Sequence, residues 1–480
     1  MSGAKGRAEQ GTRIKETNGM IQSNQMSLSP ELARVQERAR SKPEEKFTSL
    51  AHYLTVGALR RSYERLNKDS AVGIDGVSKA EYGERLDSRL EDLHRRLKDM
   101  KYRASPVLRV YIEKEDGSKR PIGIPTTEDK VVQGAVVEIL SAIYEVDFHG
   151  FSYGFRPGKS AHDALRALQT VLQKGKVNWV IDADISKFFD SIDHKELMSV
   201  IKRRVIDRSL LRIIGKWLAT GAVEEDGRRI RGKQGTPQGG TISPMLANIF
   251  LHTIIDEFVN EWRKTEATGE VYIVRYADDF VIATENKRDA EALLSALRSR
   301  LESFGLKLNS DKTRIVKFGR KWVEENKRGG EKPGTFNFLG FTHIAGRDRK
   351  GRYLVIRKTM SKRLRRAIKN AYQVCRGMMH FPLKVQHARI SKILIGHFNY
   401  YGVRGNFDLL RQFYYHIWKL WYRILRRRSQ KGIKFRKYIR ILQLFPLPQP
   451  KITHSEGWLP VNPGYLLGRA GCGKSARPVL

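Results

Sequence analysis

Cysteine is scarce in this sequence of 480 residues, which contains only Cys375 and Cys472. Two thiols exclude a framework of several disulfides and any zinc site built from several cysteines. No run of about 18 apolar residues occurs, so no membrane-spanning helix is predicted. Residues 1–46 are polar and contain no apolar signal region. These absences predict a cytoplasmic, reducing location and no membrane partner.

Acidic residues are rare where basic residues are dense. The net charge is +39, and between residues 347 and 440 there are 27 Lys and Arg against two acids, Asp348 and Asp408. A solvated charged surface usually mixes both signs, and an excess of this size repels itself unless a polyanion shares the surface. We therefore expect a nucleic-acid surface, and we favour it over an anionic membrane or an acidic protein.

Strand and helix patterns interleave without a strict βαβ repeat, which predicts an α+β fold. Residues 1–45 are predicted to be a loose tail that becomes helical near 30–39. Residues 107–113 and 120–124 flank a turn-forming segment and predict a β-hairpin. A helix is predicted from about residue 244 to residue 262, and a strand across residues 337–342. Beyond about residue 355 the pattern is helical. Three helices are predicted there, at residues 361–378, 387–401 and 406–428.

Two adjacent carboxylates, Asp278 and Asp279, lie at a tight turn between apolar strand patterns within residues 271–283. Packing carboxylates side by side costs free energy unless a cation neutralises them. Asp is also common in ordinary turns, so a plain hairpin is the alternative when the pair is taken alone.

A second acidic pair, Asp182 and Asp184, shares one face of a predicted strand at residues 179–185 because its members are two residues apart. A carboxylate from this strand beside Asp278 would complete a site for two Mg²⁺ ions, which prefer hard oxygen ligands. Two such ions about 4 Å apart can activate a 3′-hydroxyl and stabilise departing pyrophosphate. The spacing alone does not choose between Asp182 and Asp184.

Eight short motifs follow one another along residues 55–430. They are Gly73-Ile-Asp-Gly-Val77, Lys119-Arg-Pro-Ile-Gly-Ile-Pro125, Ser152-Tyr-Gly-Phe-Arg-Pro157, Asp182-Ala-Asp-Ile-Ser-Lys-Phe-Phe-Asp190, Gly235-Thr-Pro-Gln-Gly-Gly240, Tyr276-Ala-Asp-Asp279, Gly305-Leu-Lys-Leu-Asn309 and Phe338-Leu-Gly-Phe341. In this order they resemble the group II intron-encoded reverse transcriptases with maturase activity. The resemblance implies a right-hand polymerase fold of fingers, palm with an antiparallel sheet, and helical thumb.

The same resemblance implies an RNA-directed DNA polymerase whose catalytic residues are Asp184, Asp278 and Asp279. It selects Asp184 rather than Asp182 as a metal ligand, beside Asp278 and the carbonyl of Ile185. Asp182 is then expected to have a supporting role. The implied cofactor is a pair of Mg²⁺ ions, for which Mn²⁺ could substitute.

Five residues match the family's deoxynucleotide pocket, namely Lys114, Arg120, Ile185, Phe189 and Gln238. Phe189 matches the ring under the incoming sugar, where it would clash with a 2′-hydroxyl; a core ring is the alternative, and this is the role expected of Phe188. Lys114 and Arg120 match triphosphate-holding positions, unless they simply belong to a solvated hairpin. Gln238 lies in a glycine-rich turn that would let backbone approach the primer or nucleotide, with an ordinary turn as the alternative.

The basic helices resemble the family's thumb, also called its maturase domain. Their phosphate-facing residues are expected to be Arg423, Arg426, Arg427 and Arg428. The aromatic residues Phe413, Tyr414, Trp418 and Trp421 lie at helical spacing, and core packing is favoured for them over base stacking. Arg156 is expected either to hold the fingers together or to meet the template backbone.

The resemblance divides the chain into a polar tail (1–48), fingers and palm (49–345), thumb (346–430) and a short DNA-binding-like region (431–480) without the family's endonuclease domain. The implied partners are a group II intron RNA, an RNA template with a DNA primer, and dNTPs; monomer and dimer are not distinguished. The implied function is assistance to intron splicing and copying of the intron by target-primed reverse transcription during intron mobility. The alternatives are a splicing factor with a vestigial polymerase and a related enzyme recruited to host defence or repair.

Overall fold

The computed structural model describes residues 28–113, 119–224, 226–230, 235 and 239–454. Helices and strands mix throughout these ranges, which confirms the α+β prediction. One large apolar core joins buried residues from Leu32 to Val355 together with Val403, and a second core lies within residues 364–447. The first core contains the strands that carry the acidic motifs. The second core lies within the predicted basic helices.

The N-terminal part is mainly helical. Its elements are α1 (Pro30–Ser41), a 3₁₀ turn (Ala51–Tyr53), α2 (Val56–Arg65), α3 (Lys79–Gly83), α4 (Leu86–Lys98), α5 (Thr127–Asp147) and α6 (Ala161–Lys174). α1 begins where the Ser29 hydroxyl accepts the Leu32 N–H and Pro30 occupies the first turn. Its buried residues Leu32, Val35 and Ala39 recur every three or four positions, so one face packs into the first core. The predicted helix near residues 30–39 is confirmed.

The remaining helices surround and follow the sheets. They are α7 (Phe188–Ser191), α8 (His194–Ile201), α9 (Arg208–Ala219), α10 (Ser243–Leu251), α11 (Glu257–Thr265), α12 (Lys287–Ser303), α13 (Arg320–Lys327), α14 (Ser361–Gly377), α15 (Leu383–Tyr401), α16 (Phe407–Arg427) and α17 (Phe435–Leu444), with a π-helical segment (His252–Asp256) between α10 and α11. The structure thus confirms the three predicted basic helices as α14, α15 and α16, within a few residues at each end.

Within the ranges given above, the strands form three separate sheets. They are β1 (Val107–Glu113), β2 (Lys119–Ile124), β3 (Trp179–Asp184), β4 (Ala222–Glu224), β5 (Arg229–Ile230), β6 (Val271–Tyr276), β7 (Asp279–Thr284), β8 (Arg314–Lys317), β9 (Thr335–Phe338), β10 (Phe341–Arg347) and β11 (Tyr353–Thr359). The first sheet has the order β2-β1-β4-β5 and contains the predicted antiparallel hairpin; the expected turn between β1 and β2 lies outside the described residues.

The second sheet, in the order β6-β7-β3-β8, is the palm sheet. Every neighbouring pair in it is antiparallel. Strands β6 and β7 are almost wholly buried and rich in Val and Ile, and helices α6 and α12 pack against the sheet. Asp184 and Asp279 lie at strand ends, whereas Asp182 lies further inside β3 and Arg275 is buried within β6.

The third sheet, in the order β11-β10-β9, corrects two expectations. The single strand expected across residues 337–342 is two strands, because Leu339 and Gly340 both take positive φ, of 48° and 79°, and reverse the chain. The helical pattern expected from about residue 355 starts only at Ser361, because β11 continues to Thr359. The β-branched residues Val355, Ile356 and Thr359 favour a strand, and β11 pairs with β10 along its whole length. Below, the name thumb is used for helices α14–α17, which start after the predicted boundary at residue 346 and extend beyond the one at residue 430.

Candidate active site

The register of the palm sheet brings carboxylates from two separate motifs together. β3 and β7 are antiparallel neighbours, and the backbone of Asp184 lies directly opposite that of Asp279. Side chains directly opposite on one face are about 5 Å apart at Cβ. Asp278 lies one residue before Asp279, in the turn that joins β6 to β7. The sheet thus places the three expected catalytic carboxylates at one end of strands β3 and β7.

The turn itself has a costly conformation. Ala277 has φ of +56°, in the left-handed region that a non-glycine residue adopts at a cost of about 1 kcal/mol or more. The loop before α6 packs directly beneath it, since a Cβ added to Gly154 would lie 2.2 Å from the Ala277 nitrogen. Backbone hydrogen bonds of 2.9 Å join this loop to Arg275 from both sides. This contact accounts for the glycine of the motif at residues 152–157.

A fully buried arginine holds the turn from within. Arg275 and Asp256 have no exposed side-chain surface and form a two-pronged ion pair, in which Nε donates to Oδ1 at 2.7 Å. Nη1 of Arg275 also donates to the carbonyl of Ala277 at 3.0 Å and to Asn248 at 3.0 Å. Asn248 in turn donates to the carbonyl of Gly154 at 2.7 Å. One guanidinium therefore ties the strand, the turn and the loop together.

Asp256 owes its position to the π-helical segment at residues 252–256. A π-helical turn is wider than an α-helical turn and is common at functional sites. The helix expected across residues 244–262 is present, but it is interrupted by this segment, which the apolar periodicity did not predict. Coulombic attraction by Arg275 keeps the pKa of buried Asp256 at about 2, against desolvation, which alone would raise it.

The surroundings of the turn raise the pKa values of both of its carboxylates, Asp278 and Asp279. Desolvation raises the pKa of Asp278, with Arg120 opposing this shift and Asp184 adding to it. Desolvation likewise raises the pKa of Asp279, followed by repulsion from Asp278. The desolvation of Asp279 is partial because the residue keeps exposed surface, but repulsion acts in the same direction. A bound cation would relieve both effects.

Two cations of the chain contact the carboxylates on β3. Lys312 Nζ donates to Asp184 Oδ2 at 2.8 Å, and Arg314 lies 3.4 Å from Asp182. The two aspartates therefore differ in their surroundings: Asp184 ends β3 opposite Asp279, whereas Asp182 lies further inside the sheet, opposite Val281. This arrangement agrees with the selection of Asp184 for the metal site, which stays a prediction.

The donor set fits a metal ion that is shared with substrate. Among the described residues, no three carboxylate, imidazole or thiolate side chains converge into a complete metal site. Asp184, Asp278 and Asp279 instead offer hard oxygen donors at one end of β3 and β7. Mg²⁺ is commonly held by one or two carboxylates together with substrate phosphates. The donor set therefore fits the divalent metal ions that the sequence resemblance implies.

The expected nucleotide pocket is only partly visible. Lys114 and Gln238 lie outside the described residues. Arg120 lies on β2 opposite Ile112, and its charge acts on Asp278. Ile185 follows β3, where Leu308 pairs with it in an isolated bridge. Phe189 is 9% exposed, against 2% for Phe188, and their rings meet edge to face at 5.2 Å.

The expected nucleic-acid contacts separate into two groups. Arg156 is buried, pairs with Glu145 at 2.9 Å, and donates to the carbonyls of His149 and Ser152. These contacts hold its own loop together, and both roles expected of Arg156 stay predictions. Exposed guanidinium groups on the thumb form the second group: Arg423, Arg426, Arg427 and Arg428. Of the four thumb aromatics, Phe413 and Trp421 are core residues, while Tyr414 and Trp418 are half-buried.

Sequence reasoning missed Arg275, Asp256, Asn248 and Lys312. For Arg275 a signal existed, since it is the one charged residue in an otherwise apolar and aromatic strand and needs a buried partner. No comparable signal marked Asp256, whose partner lies 19 residues away. Within the described residues no helix is long and apolar enough to cross a membrane.

Comparisons with known proteins match the part of the chain that contains these carboxylates. A family described as reverse transcriptase (RNA-dependent DNA polymerase) matches residues 112–343. Protein YkfC of Escherichia coli K12 is 34% identical over 297 residues, covering 54% of this chain and 77% of YkfC. The group II intron-encoded protein LtrA of Lactococcus lactis subsp. cremoris is 36% identical over 230 residues, covering 48% of this chain and 38% of LtrA. The retron Mx162 reverse transcriptase of Myxococcus xanthus is 26% identical over 226 residues, and the match covers 44% of each chain. This chain therefore spans well under two thirds of LtrA and of the retron enzyme.

Proposed function

The chain belongs to the reverse transcriptase family, and we propose that it is an RNA-directed DNA polymerase that binds a group II intron RNA, assists its splicing and copies it into cDNA. The observation that carries the polymerase part is the pairing of Asp184 with Asp279 across β3 and β7, with Asp278 beside them. The intron part is supported by the similarity to LtrA and by the basic thumb.

Two Mg²⁺ ions, or Mn²⁺ in their place, would supply activation of the primer 3′-hydroxyl and stabilisation of the leaving pyrophosphate. Asp184, Asp278 and the Ile185 carbonyl would hold them, and Asp279 would add negative charge beside them. Arg275 fixes the backbone on which Asp278 and Asp279 are mounted. Lys312 keeps the Asp184 carboxylate paired when no other cation is bound.

The chain's own residues would position the nucleotide. Arg120, with Lys114, would hold the triphosphate, because a guanidinium donates two parallel hydrogen bonds to phosphate oxygens. Phe189 would lie under the sugar and exclude a 2′-hydroxyl. Gln238, in the glycine-rich turn, would approach the primer end.

The proposal is tested by primer extension with the Asp278→Ala variant on an RNA template. We expect extension to fall by about a thousandfold or more, since several kcal/mol of charge stabilisation are lost. The variant should still bind the intron RNA that flanks its coding sequence, and splicing of that RNA should persist.

The matched control is Asp182→Ala, which removes a nearby carboxylate from strand β3 and should keep most activity. Full extension by Asp278→Ala would refute the metal assignment. Splicing without extension by the unmodified chain would favour the vestigial-polymerase alternative.

A further inference from the structure

Exposed aromatic rings cluster on the surface formed by α16 and α17. Tyr415 and Phe435 are each 51% exposed, while Trp418 and Tyr422 are half-buried. The Tyr415 and Trp418 rings are nearly parallel, at 7°, with centroids 6.1 Å apart. Phe435 meets Trp418 edge-on at 5.9 Å and Tyr422 at 5.6 Å. These four rings form one continuous surface, which we call the aromatic platform.

The platform is anchored on the thumb core. Tyr438 is fully buried, packs against Trp418 at 5.3 Å and donates its hydroxyl to the Trp418 carbonyl at 2.8 Å. On its other side Tyr438 contacts the buried ring of Trp421 at 6.0 Å. The rings are therefore held in place before any partner binds, which lowers the entropic cost of binding.

The charge around the platform is almost entirely positive. Between residues 407 and 444 there are eleven Lys and Arg against one acid, Asp408. The ammonium of Lys419 lies 4.3 Å from the centre of the Tyr415 ring. Exposed basic residues flank the rings, among them Arg423, Lys434 and Arg436. A polyanion with flat apolar groups matches this surface better than an acidic protein does.

We propose that the aromatic platform binds an unpaired stretch of RNA, with bases stacked on Tyr415, Trp418 and Phe435 and phosphates on the surrounding cations. Stacking on aromatic rings beside a basic groove is the usual way in which single strands are held. A duplex would use the charges alone, because its bases already stack on one another. The inference rests on the proposed function for RNA as partner, and it narrows that partner to a single-stranded segment.

The test compares the double variant Tyr415→Ala/Phe435→Ala with the full-length chain. Its matched control is Tyr372→Ala/Phe381→Ala, which removes two rings of the thumb that are 41% and 52% exposed and outside the platform. Affinity is measured at several salt concentrations for single-stranded RNA, single-stranded DNA and an RNA duplex with the same number of phosphates. We expect single-stranded RNA to bind about tenfold more weakly to the platform variant, with duplex affinity and the salt slope unchanged.

Two further variants separate stacking from other causes. Tyr415→Leu/Phe435→Leu keeps apolar surface without rings, and it should show the same loss if bases stack there. Arg423→Ala/Arg426→Ala should lower the salt slope, because phosphate contacts are removed. Unchanged single-strand affinity in the alanine variant, an equal loss on duplex, an equal loss in the control, or a loss confined to DNA would each overturn the inference. Primer extension by the unmodified chain tests the proposed function separately, so the two can fail independently.

Discussion

At the scale of single residues, Arg275 links fold stability to the catalytic turn. We expect Arg275→Met to destabilise the protein by about 3–5 kcal/mol, because the buried Asp256 loses its guanidinium partner and keeps only His252 at 3.6 Å. Removing both partners, in Arg275→Met/Asp256→Leu, should restore most of this stability. Extension should nevertheless stay about 10- to 100-fold slow, because the Ala277 carbonyl still lacks its charged donor.

The measurements are chemical unfolding and single-turnover extension as a function of Mg²⁺ concentration. A purely structural role for Arg275 would return both stability and rate to normal in the double variant. Arg275→Lys is an informative third protein, since an ammonium keeps the charge but cannot donate to Asp256, Asn248 and Ala277 at once in this planar geometry.

Phe189 provides a second prediction at this scale. We expect Phe189→Val to raise incorporation of rNTPs relative to dNTPs by about tenfold or more, because the clash that rejects a 2′-hydroxyl is removed. Phe188→Val is the control, since it shortens the adjacent buried ring, 5.2 Å away, and should cost stability without relaxing sugar choice. Competitive incorporation of matched nucleotides measures the ratio. Unchanged exclusion of rNTPs in Phe189→Val would make Phe189 a core residue only.

The carboxylates could be proposed from sequence because charged side chains are unusual between two apolar strands. Adjacent acids between apolar strands need a cation, and this need is visible in the residue order. The supporting network was not visible, because Arg275, Asp256 and Asn248 become neighbours only after the sheet and the interrupted helix have formed. The Lys312–Asp184 pair spans 128 positions for the same reason.

At the scale of elements, the Arg204 side chain ties the C-terminal end of α1 to the body of the protein. Arg204 pairs with Asp147 at 2.9 Å and donates to backbone carbonyls at and beyond the end of α1, those of Ala39, Lys42, Pro43 and Glu45. These carbonyls include orphan acceptors of a helix C-terminus, which need a donor when buried.

We expect Arg204→Met to destabilise the protein by about 3–5 kcal/mol and to expose the segment after α1 to protease. The neighbouring Arg203 provides a matched control, because it is 57% exposed and pairs with Glu257 at the surface. Arg203→Met should cost about 1 kcal/mol or less. Limited proteolysis near residues 42–46, together with urea unfolding, distinguishes the two variants. Equal behaviour would show that Arg204 does not fasten α1.

Most elements were predictable because their periodicity is local. The hairpin and the three thumb helices occur where alternation or helical spacing placed them. The errors arose where tertiary pairing decides. The end of β11, from about residue 355, was expected to be helical, but β11 pairs with β10 along seven residues. The π-helical segment ends at Asp256, the partner of Arg275, and no local pattern predicts it.

At the scale of the whole molecule, both apolar cores contain or contact neutral histidines. Desolvation lowers the pKa of His149 and of His162 to about 4, with the nearby His252 and His454 adding to the respective shifts. Desolvation also lowers the pKa of His397, in the thumb, to about 4. These rings are protonated in the unfolded chain below about pH 6.5 but stay neutral in the folded protein until about pH 4. Stability should therefore decrease as the pH falls through this window.

His343 allows a clean test of this whole-molecule property. Its ring has no exposed surface and stacks on Phe336 at 4.8 Å and 5°, and desolvation lowers its pKa to about 3. Because the unfolded chain binds one more proton at this position between about pH 3 and 6.5, His343→Phe should reduce the loss of stability on acidification by up to about 1.4 kcal/mol per pH unit. The measurement is urea unfolding of the metal-free protein at pH 7 and pH 5. The exposed His380→Phe substitution should leave the pH dependence unchanged. If His343→Phe has the same pH dependence as the unmodified chain, His343 does not contribute to the acid sensitivity.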